Sequence, residues 1–349
     1  MKFSKRLVFF LLFAILGISF AFYGYQIVYT PNILVEKNDR AIVIPKEATF
    51  KDVQRELHEG GYVHDLISFS FLARLMKYDE KVKPGKFMLR RNMTNLEAIR
   101  TLRLSGHNAV KITFNNVRLI SELSEKITRN LAMSEAEFQA ALINFANSNP
   151  HGFNKDNIIS MFIPNTYEVY HNVSANQLVE RMYEEYKKFW TEERMQKARQ
   201  HGLTPFEVSV LASIVQAESV RADEAPLIAS LYMNRLKTGM PLQADPTLVF
   251  AVGDFSLKRV LNEHKEIDSP YNTYKYPGLP PGPINMPTIN AIDAVLNHPE
   301  TNYIYMCAKE DFSGRHNFTH DYREHMRNAA RYQRALTIEQ QKAAKLKKK

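Results

Sequence analysis

The alternation of polar and apolar positions is interrupted most strongly at the start of the chain. No charged residue lies between Leu7 and Val35, and residues 7–29 (LVFFLLFAILGISFAFYGYQIVY) are almost wholly apolar. A helix crossing a bilayer needs about 20 such residues, so this stretch predicts one membrane span. Lys2, Lys5 and Arg6 precede it and predict a cytoplasmic N-terminus. Tyr23, Tyr25 and Tyr29 would then sit at the far interface, with the bulk of the chain outside the cytoplasm. The rival reading is a cleaved signal peptide with Ser19-Phe20-Ala21 as the cleavage site, but the apolar run is longer than a usual signal core and has no polar break.

Beyond the span the pattern becomes short and periodic. Residues 30–40 read as a polar linker. AIVI (41–44) predicts a strand stopped by Pro45. Thr49 caps a helix with Val53 and Leu57 on one face, ended by Gly60-Gly61. LISFSFLARLMK is a second helix, KFML (86–89) a short strand after Pro84-Gly85, and Thr94 or Asn95 opens a third helix ending near Gly106. Residues 41–108 therefore form a small strand–helix–helix–strand–helix module.

KITF (111–114) opens a larger region that extends to residue 336. ELSEKITRNLA and EAEFQAALINFAN have helical periodicity, and MFIPNTYEVY reads as extended with a turn at Pro164-Asn165. Ser174 and Gln177 fit a capping box for a helix carrying Leu178, Met182 and Tyr186 and running through Trp190, with a stop at Gly202. Two helices, a turn-rich stretch and the strand-like NYIYMCA follow. Residues 337–349 read as a charged helix or a basic tail. The fold class expected is α+β: one N-terminal transmembrane helix, a small βααβ module and a larger mixed α/β domain.

Composition changes this picture little, but charge excludes one class. The net charge is +9, yet most of it sits in Lys2, Lys5 and Arg6 and in Lys342, Lys345, Lys347, Lys348 and Lys349. Nucleic-acid binding needs a basic stripe on the folded surface, and the region between the ends offers none. Cys307 is the single cysteine, which excludes an intramolecular disulfide and Cys/His metal clusters.

Candidate chemistry centres on "LTPFEVSVLASIVQAESV" (203–220). Thr204 is a good N-cap, Pro205 takes the first helical position and Glu207 completes a T-x-x-E box. Leu211, Ile214 and Glu218 recur at spacings of three and four and share a face, with Gln216 pointing elsewhere. Glu218 thus ends an apolar stripe. It is either an ion-pair partner of Arg221 or Arg235, or a general acid whose pKa is raised by burial. Spacing alone leaves both open.

Downstream, Asn234 and Arg235 end the next helix, and Gln243, Asp245, Pro246 and Thr247 fall in a predicted loop. SPYNTYKYPGLPPGPINMP (269–287) is too rich in proline for a regular helix or central strand. Its Tyr271, Tyr274 and Tyr276 offer flat rings, and Ser269, Asn272 and Thr273 offer hydrogen-bonding groups. That set suits sugars, or a stiff tie that only covers a core. SGRHNFTHDYREHMRN adds His316, His320, Glu324 and His325. No H-E-x-x-H string occurs, so these read as structural or substrate-contacting histidines rather than a metal site.

LASIVQAES, ASLYMNRLKTGMPLQADPT, SPYNTYKYPGLPPGPI and HNFTHDYREHMRN, in this order and spacing across residues 110–335, resemble the endolytic murein transglycosylase (YceG-like) family. MFIPNTYEVY is similar to that family's L-F-P-x-T-Y stretch. The resemblance makes residues 41–108 a LysM-like module and residues 109–336 the catalytic domain. It implies non-hydrolytic cleavage of the bond from N-acetylmuramic acid to N-acetylglucosamine within glycan strands, leaving 1,6-anhydromuramoyl ends. It implies no metal or nucleotide cofactor, an inner-membrane anchor, and a role in ending growing strands beside peptidoglycan synthases. Glu218 matches the family's catalytic position. Expected substrate contacts are Asn234, Arg235, Gln243, Thr247, Ser269, Tyr271, Asn272, Thr273, Tyr274 and His316, with Asp245 either a second, stabilising carboxylate or a turn residue. Three departures stand out: Gln216 replaces the first glutamate of the family's I-V-E-K-E run, KITFNNVR replaces a proline–glutamate–glycine turn, and Met306-Cys307 replaces an aromatic pair. A hydrolase using the same site, a non-catalytic wall-binding protein and a metalloprotein are the rival readings.

Overall fold

The uninterrupted apolar run at the start forms one long helix, α1 (Lys5–Tyr29). Its Phe9–Tyr29 segment has a mean hydropathy of 1.9 and is long and apolar enough to cross a membrane. Phe9, Phe13, Phe20 and Phe22 are all exposed on it. The computed structural model describes residues 5–34, 39–45, 47–103, 109–257 and 260–346. Lys2, residues 35–38 of the expected linker, Gly106 and Lys347 to Lys349 lie outside the described residues.

The structure is mixed α/β and divides into two units. The first holds residues 1–112 together with 128–134 and 167–174. In it β1 (Arg40–Ile44) pairs antiparallel with β2 (Gly85–Leu89), with Ile42 opposite Phe87. Ile42, Ile44, Phe87 and Leu89 face inward, as the period-two pattern requires. Between the strands lie α2 (Phe50–Glu59) and α3 (Leu66–Leu75), and α4 (Asn95–Arg103) follows. Asp52 accepts the Thr49 N–H at 2.8 Å and fixes the start of α2, which buries Val53 and Leu57.

Residues 31–34 correct the expected linker. Ile33 is 3% exposed and packs in the core of this unit with Ile27 from the last turns of α1. Asn32 donates to Asn95 Oδ1 at 2.6 Å and to the Asp65 carbonyl at 2.8 Å, and Asn95 donates to the Ile27 carbonyl at 2.9 Å. A buried amide must find such partners, and finding them pins the segment down.

The second unit holds residues 113–127, 135–166 and 175–349. β3 (Ala109–Phe114) and β4 (Asn165–Tyr170) form a two-stranded sheet, four residues of each strand belonging to the first unit; α5 (Ile120–Thr128) and α6 (Glu135–Ser148) lie between them in sequence. The expected extended stretch from Met161 starts only at Asn165, because residues 158–161 close a 3-10 turn. α7 (Ala175–Phe189) stops before Trp190 rather than running through it. Thr191 turns extended there, accepts the Arg194 N–H and starts a separate helix, α8 (Glu192–Gln200).

α9 (Pro205–Glu218) is buried from Val208 to Val215. It packs against α8, α10 (Ala225–Lys237), α11 (Asp245–Val252) and α12 (Ile289–Leu296). Asp245 therefore opens a helix, where a loop was expected. Asp-Pro reads as a turn, but a proline in the first helical turn costs no hydrogen bond. The strand-like NYIYMCA supplies β5 (Tyr305–Ala308), paired antiparallel with β6 (His316–Thr319). α13 (Tyr322–Leu346) runs without a break across the expected tail boundary at residue 337.

Candidate active site

Glu218 is placed by the two ends of α9. At the start, Thr204 and Glu207 cap each other: Glu207 accepts the Thr204 N–H at 2.8 Å and the Thr204 hydroxyl accepts the Glu207 N–H at 3.3 Å. At the finish, Ser219 leaves helical geometry with ψ near 109°, so Glu218 is the last helical residue. Its side chain is half-buried. Tyr232 on α10, itself 1% exposed, donates its hydroxyl to Glu218 Oε1 at 3.3 Å. Burial above all, and then the neighbouring Asp245 charge, push the Glu218 carboxyl up to about 7; the Tyr232 hydroxyl and Arg235 pull the other way. Near neutrality this carboxyl can both give and take a proton.

Two cavities meet at this carboxyl. One of about 840 Å³ is lined by Asn116, Arg118, Gln216, Phe250, Phe255 and Asn285, among others. The other, of about 240 Å³, is lined by Tyr232, Arg235, Gln243, Tyr274, Cys307 and His316, among others. Glu218 and Asp245 line both. Asp245, at the start of α11, is exposed and accepts the Tyr274 hydroxyl at 2.6 Å.

The remaining expected contacts divide into those beside the carboxyl and those behind it. Gln243, Tyr274, Arg235 and His316 line the smaller cavity with Glu218. Arg235, 8% exposed, spends its donors on the carbonyls of Ile304 and Leu242, both at 2.7 Å, and of Pro241 at 3.3 Å. His316 directs Nδ1 at the buried Glu224, 3.0 Å away. The others do not face the cavities. Asn234 donates to the carbonyls of Thr301 and Tyr303. Asn272, fully buried, donates to those of Lys265 and Ile267 and accepts the Tyr274 N–H. Thr273 accepts the Ala244 N–H at 3.0 Å and meets the Thr247 hydroxyl at 2.8 Å. Ser269 accepts the Tyr271 N–H, and the Tyr271 ring packs 4.7 Å from that of Phe250. These ties clamp the proline-rich loop to the start of α11 and so set Tyr274 against Asp245. The loop is thus both a tie and, through Tyr274, part of the site.

Sequence spacing also missed several residues. Tyr232 lies in the quoted ASLYMN run, but only the packing of α10 on α9 brings it to Glu218. Gln216 was expected to point away; it lines the larger cavity, donates to Asn285 Oδ1 at 3.1 Å and accepts the Thr288 N–H at 2.6 Å. Arg221 forms no ion pair with Glu218 among the described residues; its carbonyl accepts the Ser219 hydroxyl instead. His325 stacks on Tyr305 with centroids 5.2 Å apart, and Glu324 accepts the Thr319 hydroxyl. Among the described residues no group of three His, Cys, Asp or Glu side chains is placed to hold a metal ion.

The YceG-like family model matches residues 42–331. The chain is 24% identical over 356 residues to the endolytic murein transglycosylase of Streptococcus pneumoniae serotype 2 (strain D39), an alignment covering 93% of this chain and 64% of that protein. It therefore spans just under two thirds of that relative's length. It is 42% identical over 122 residues to the endolytic murein transglycosylase of Bacillus subtilis (strain 168), covering 35% of this chain and 33% of that protein. The crystal structure of a YceG-like protein from Listeria monocytogenes superposes with a TM-score of 0.53 at 23% identity, over 84% of this chain and 99% of that one.

Proposed function

The chain belongs to the YceG-like family, and on that premise we propose that it is a membrane-anchored endolytic lytic transglycosylase acting on peptidoglycan. One observation carries the reading: a single desolvated carboxyl, held near pKa 7, stands where two cavities meet. A glycan strand can continue on both sides of such a point, as internal cleavage requires.

The proposed chemistry runs through Glu218 twice. Its neutral carboxyl gives a proton to the N-acetylglucosamine oxygen as the bond from that oxygen to the muramic-acid C1 breaks. The resulting carboxylate takes the proton from the 6-hydroxyl of the same muramic acid, and O6 closes onto C1. No water is consumed, and attack within one sugar gains from proximity. Tyr232 orients the carboxyl. Asp245 has two effects: its charge keeps Glu218 protonated, and it favours the positive charge that develops at C1.

Residues 41–108 are a LysM-like module that holds glycan. α1 is the inner-membrane anchor, with its N-terminus in the cytoplasm and the rest in the periplasm. Peptidoglycan synthases are its neighbours, and strand termination is its role.

The test is mass spectrometry of glycan digested by the full chain and by its Glu218→Gln variant. The wild type should produce anhydromuramoyl ends and the variant should lose them by ~10²–10⁴-fold, as expected when the acid is removed. Anhydro ends formed by the variant at near wild-type rates would defeat the assignment. Reducing ends from the wild type would favour a hydrolase.

A further inference from the structure

The larger cavity contains a cation that this chemistry does not use. Arg118 lines it, with an exposed side chain whose guanidinium lies 5.0 Å from the centre of the Phe255 ring. Among the described residues the guanidinium has no carboxylate partner. Its backbone, by contrast, is fixed. The Arg118 N–H donates to Glu122 at 2.8 Å, and the carbonyl of the buried Val117 beside it accepts the Met286 N–H at 2.7 Å. The backbone is anchored in the cleft wall, the head lies over an aromatic ring, and among the described residues its edge donors are unpaired.

Arg118 and Glu218 line the same cavity. Among the described residues, the charged ones lining this cavity apart from Arg118 are Glu218 and Asp245, both acidic. A backbone of N-acetylated sugars is neutral and gives a cation nothing to pair with. Charge enters such a strand only through the lactyl group of muramic acid, as a free carboxylate or as the carboxylates of a peptide attached to it. A guanidinium fork stacked on a ring, with its N–H edge open, matches a carboxylate in a way a lysine would not.

We propose that Arg118 is a specificity-determining residue that takes a carboxylate of the glycan strand held in this cavity. This rests on the transglycosylase reading and deepens it.

The test measures binding to the full-length Glu218→Gln chain, which leaves strands intact, with and without Arg118→Ala or Arg118→Lys. Three probes are used: strands bearing peptide stems, strands stripped of stems so that lactyl carboxylates are free, and stripped strands with those carboxylates converted to amides. Arg118→Ala should weaken binding about tenfold where the recognised carboxylate is present, roughly the value of one charge-assisted hydrogen bond. Arg118→Lys should recover only part of the loss. The amidated strands should bind both chains alike. A loss confined to stem-bearing strands assigns the contact to the stem; a loss on stripped strands assigns it to the lactyl group. Equal binding of all three probes by the Ala and parent chains overturns the proposal, as does an equal loss on all three. Should Arg118→Ala lower the melting temperature, Arg118→Gln supplies the same comparison. Digestion by the wild-type chain is run in parallel. Anhydro ends from it alongside a silent Arg118 defeat only this inference, whereas their absence defeats the functional reading itself.

Discussion

At the scale of the residue, the carboxyl at position 218 is governed by what surrounds it. Desolvation and Asp245 hold it near pKa 7, so the acid form is lost as pH rises through that value, and cleavage should fall with it. Tyr232→Phe removes a hydrogen bond that favours the charged form. The alkaline limb of the pH–rate profile should therefore move to higher pH while kcat drops about tenfold. A limb that stays put or moves to lower pH would show that Tyr232 does not act on Glu218.

The same shift has a consequence for stability, with a definite sign. The folded pKa is raised above the unfolded one, so the neutral carboxyl's contribution is fully present below the unfolded value. It is lost as pH rises through about 7. Glu218→Gln cannot ionise, so it should match the wild type near pH 4 and exceed it above pH 7, by up to about 3 kcal/mol. Urea unfolding at the two pH values checks this, and a constant difference would refute it. Position 218 was legible in the sequence because a helix face repeats every three to four residues. Its partner Tyr232 was not, because the two lie on different helices.

At the scale of the element, starts written into three or four neighbouring residues were readable. Thr49 with Asp52 and Thr204 with Glu207 are local hydrogen-bonding units, and α2 and α9 begin where they stand. Thr204→Ala should cost about 1 kcal/mol of stability in urea unfolding without changing the cleavage product; no measurable cost would mean that buried packing alone sets the start of α9. Elements failed to show where one local signal had two meanings. Asp245-Pro246 fits a turn and a helix start equally, and only the packing of α11 on α9 selects the helix. Between Phe189 and Glu192, a continuous helical pattern hides a break that Thr191 makes by capping α8. Gln216 was misplaced for a related reason: the apolar face assigns it outward, yet the 285–288 segment folds over to meet it.

At the scale of the whole molecule, composition separated one long apolar helix from the remainder but could not show where that helix ends as a structural part. Ile27, Asn32 and Ile33 belong to the core of the first unit. A chain beginning at Leu34 should lose about 3 kcal/mol or more in that unit relative to one beginning at Tyr23, from two buried isoleucines and the Asn32–Asn95 pair. Thermal melting of the two truncations compares them directly, and equal midpoints would refute the assignment.

By itself the sequence determined the apolar span, the strand–helix–helix–strand order, the capped start of α9 and Glu218 at its apolar end, because each is encoded within a few neighbouring residues or one helical face. Only the tertiary structure decided which polar side chains surround that carboxyl. Asn234, Thr247, Asn272 and Thr273 turned inward to satisfy backbone groups, while Tyr232, Gln216 and Arg118 came to the cleft. A buried donor or acceptor must be paired, and its partner is fixed by packing between elements far apart in the chain.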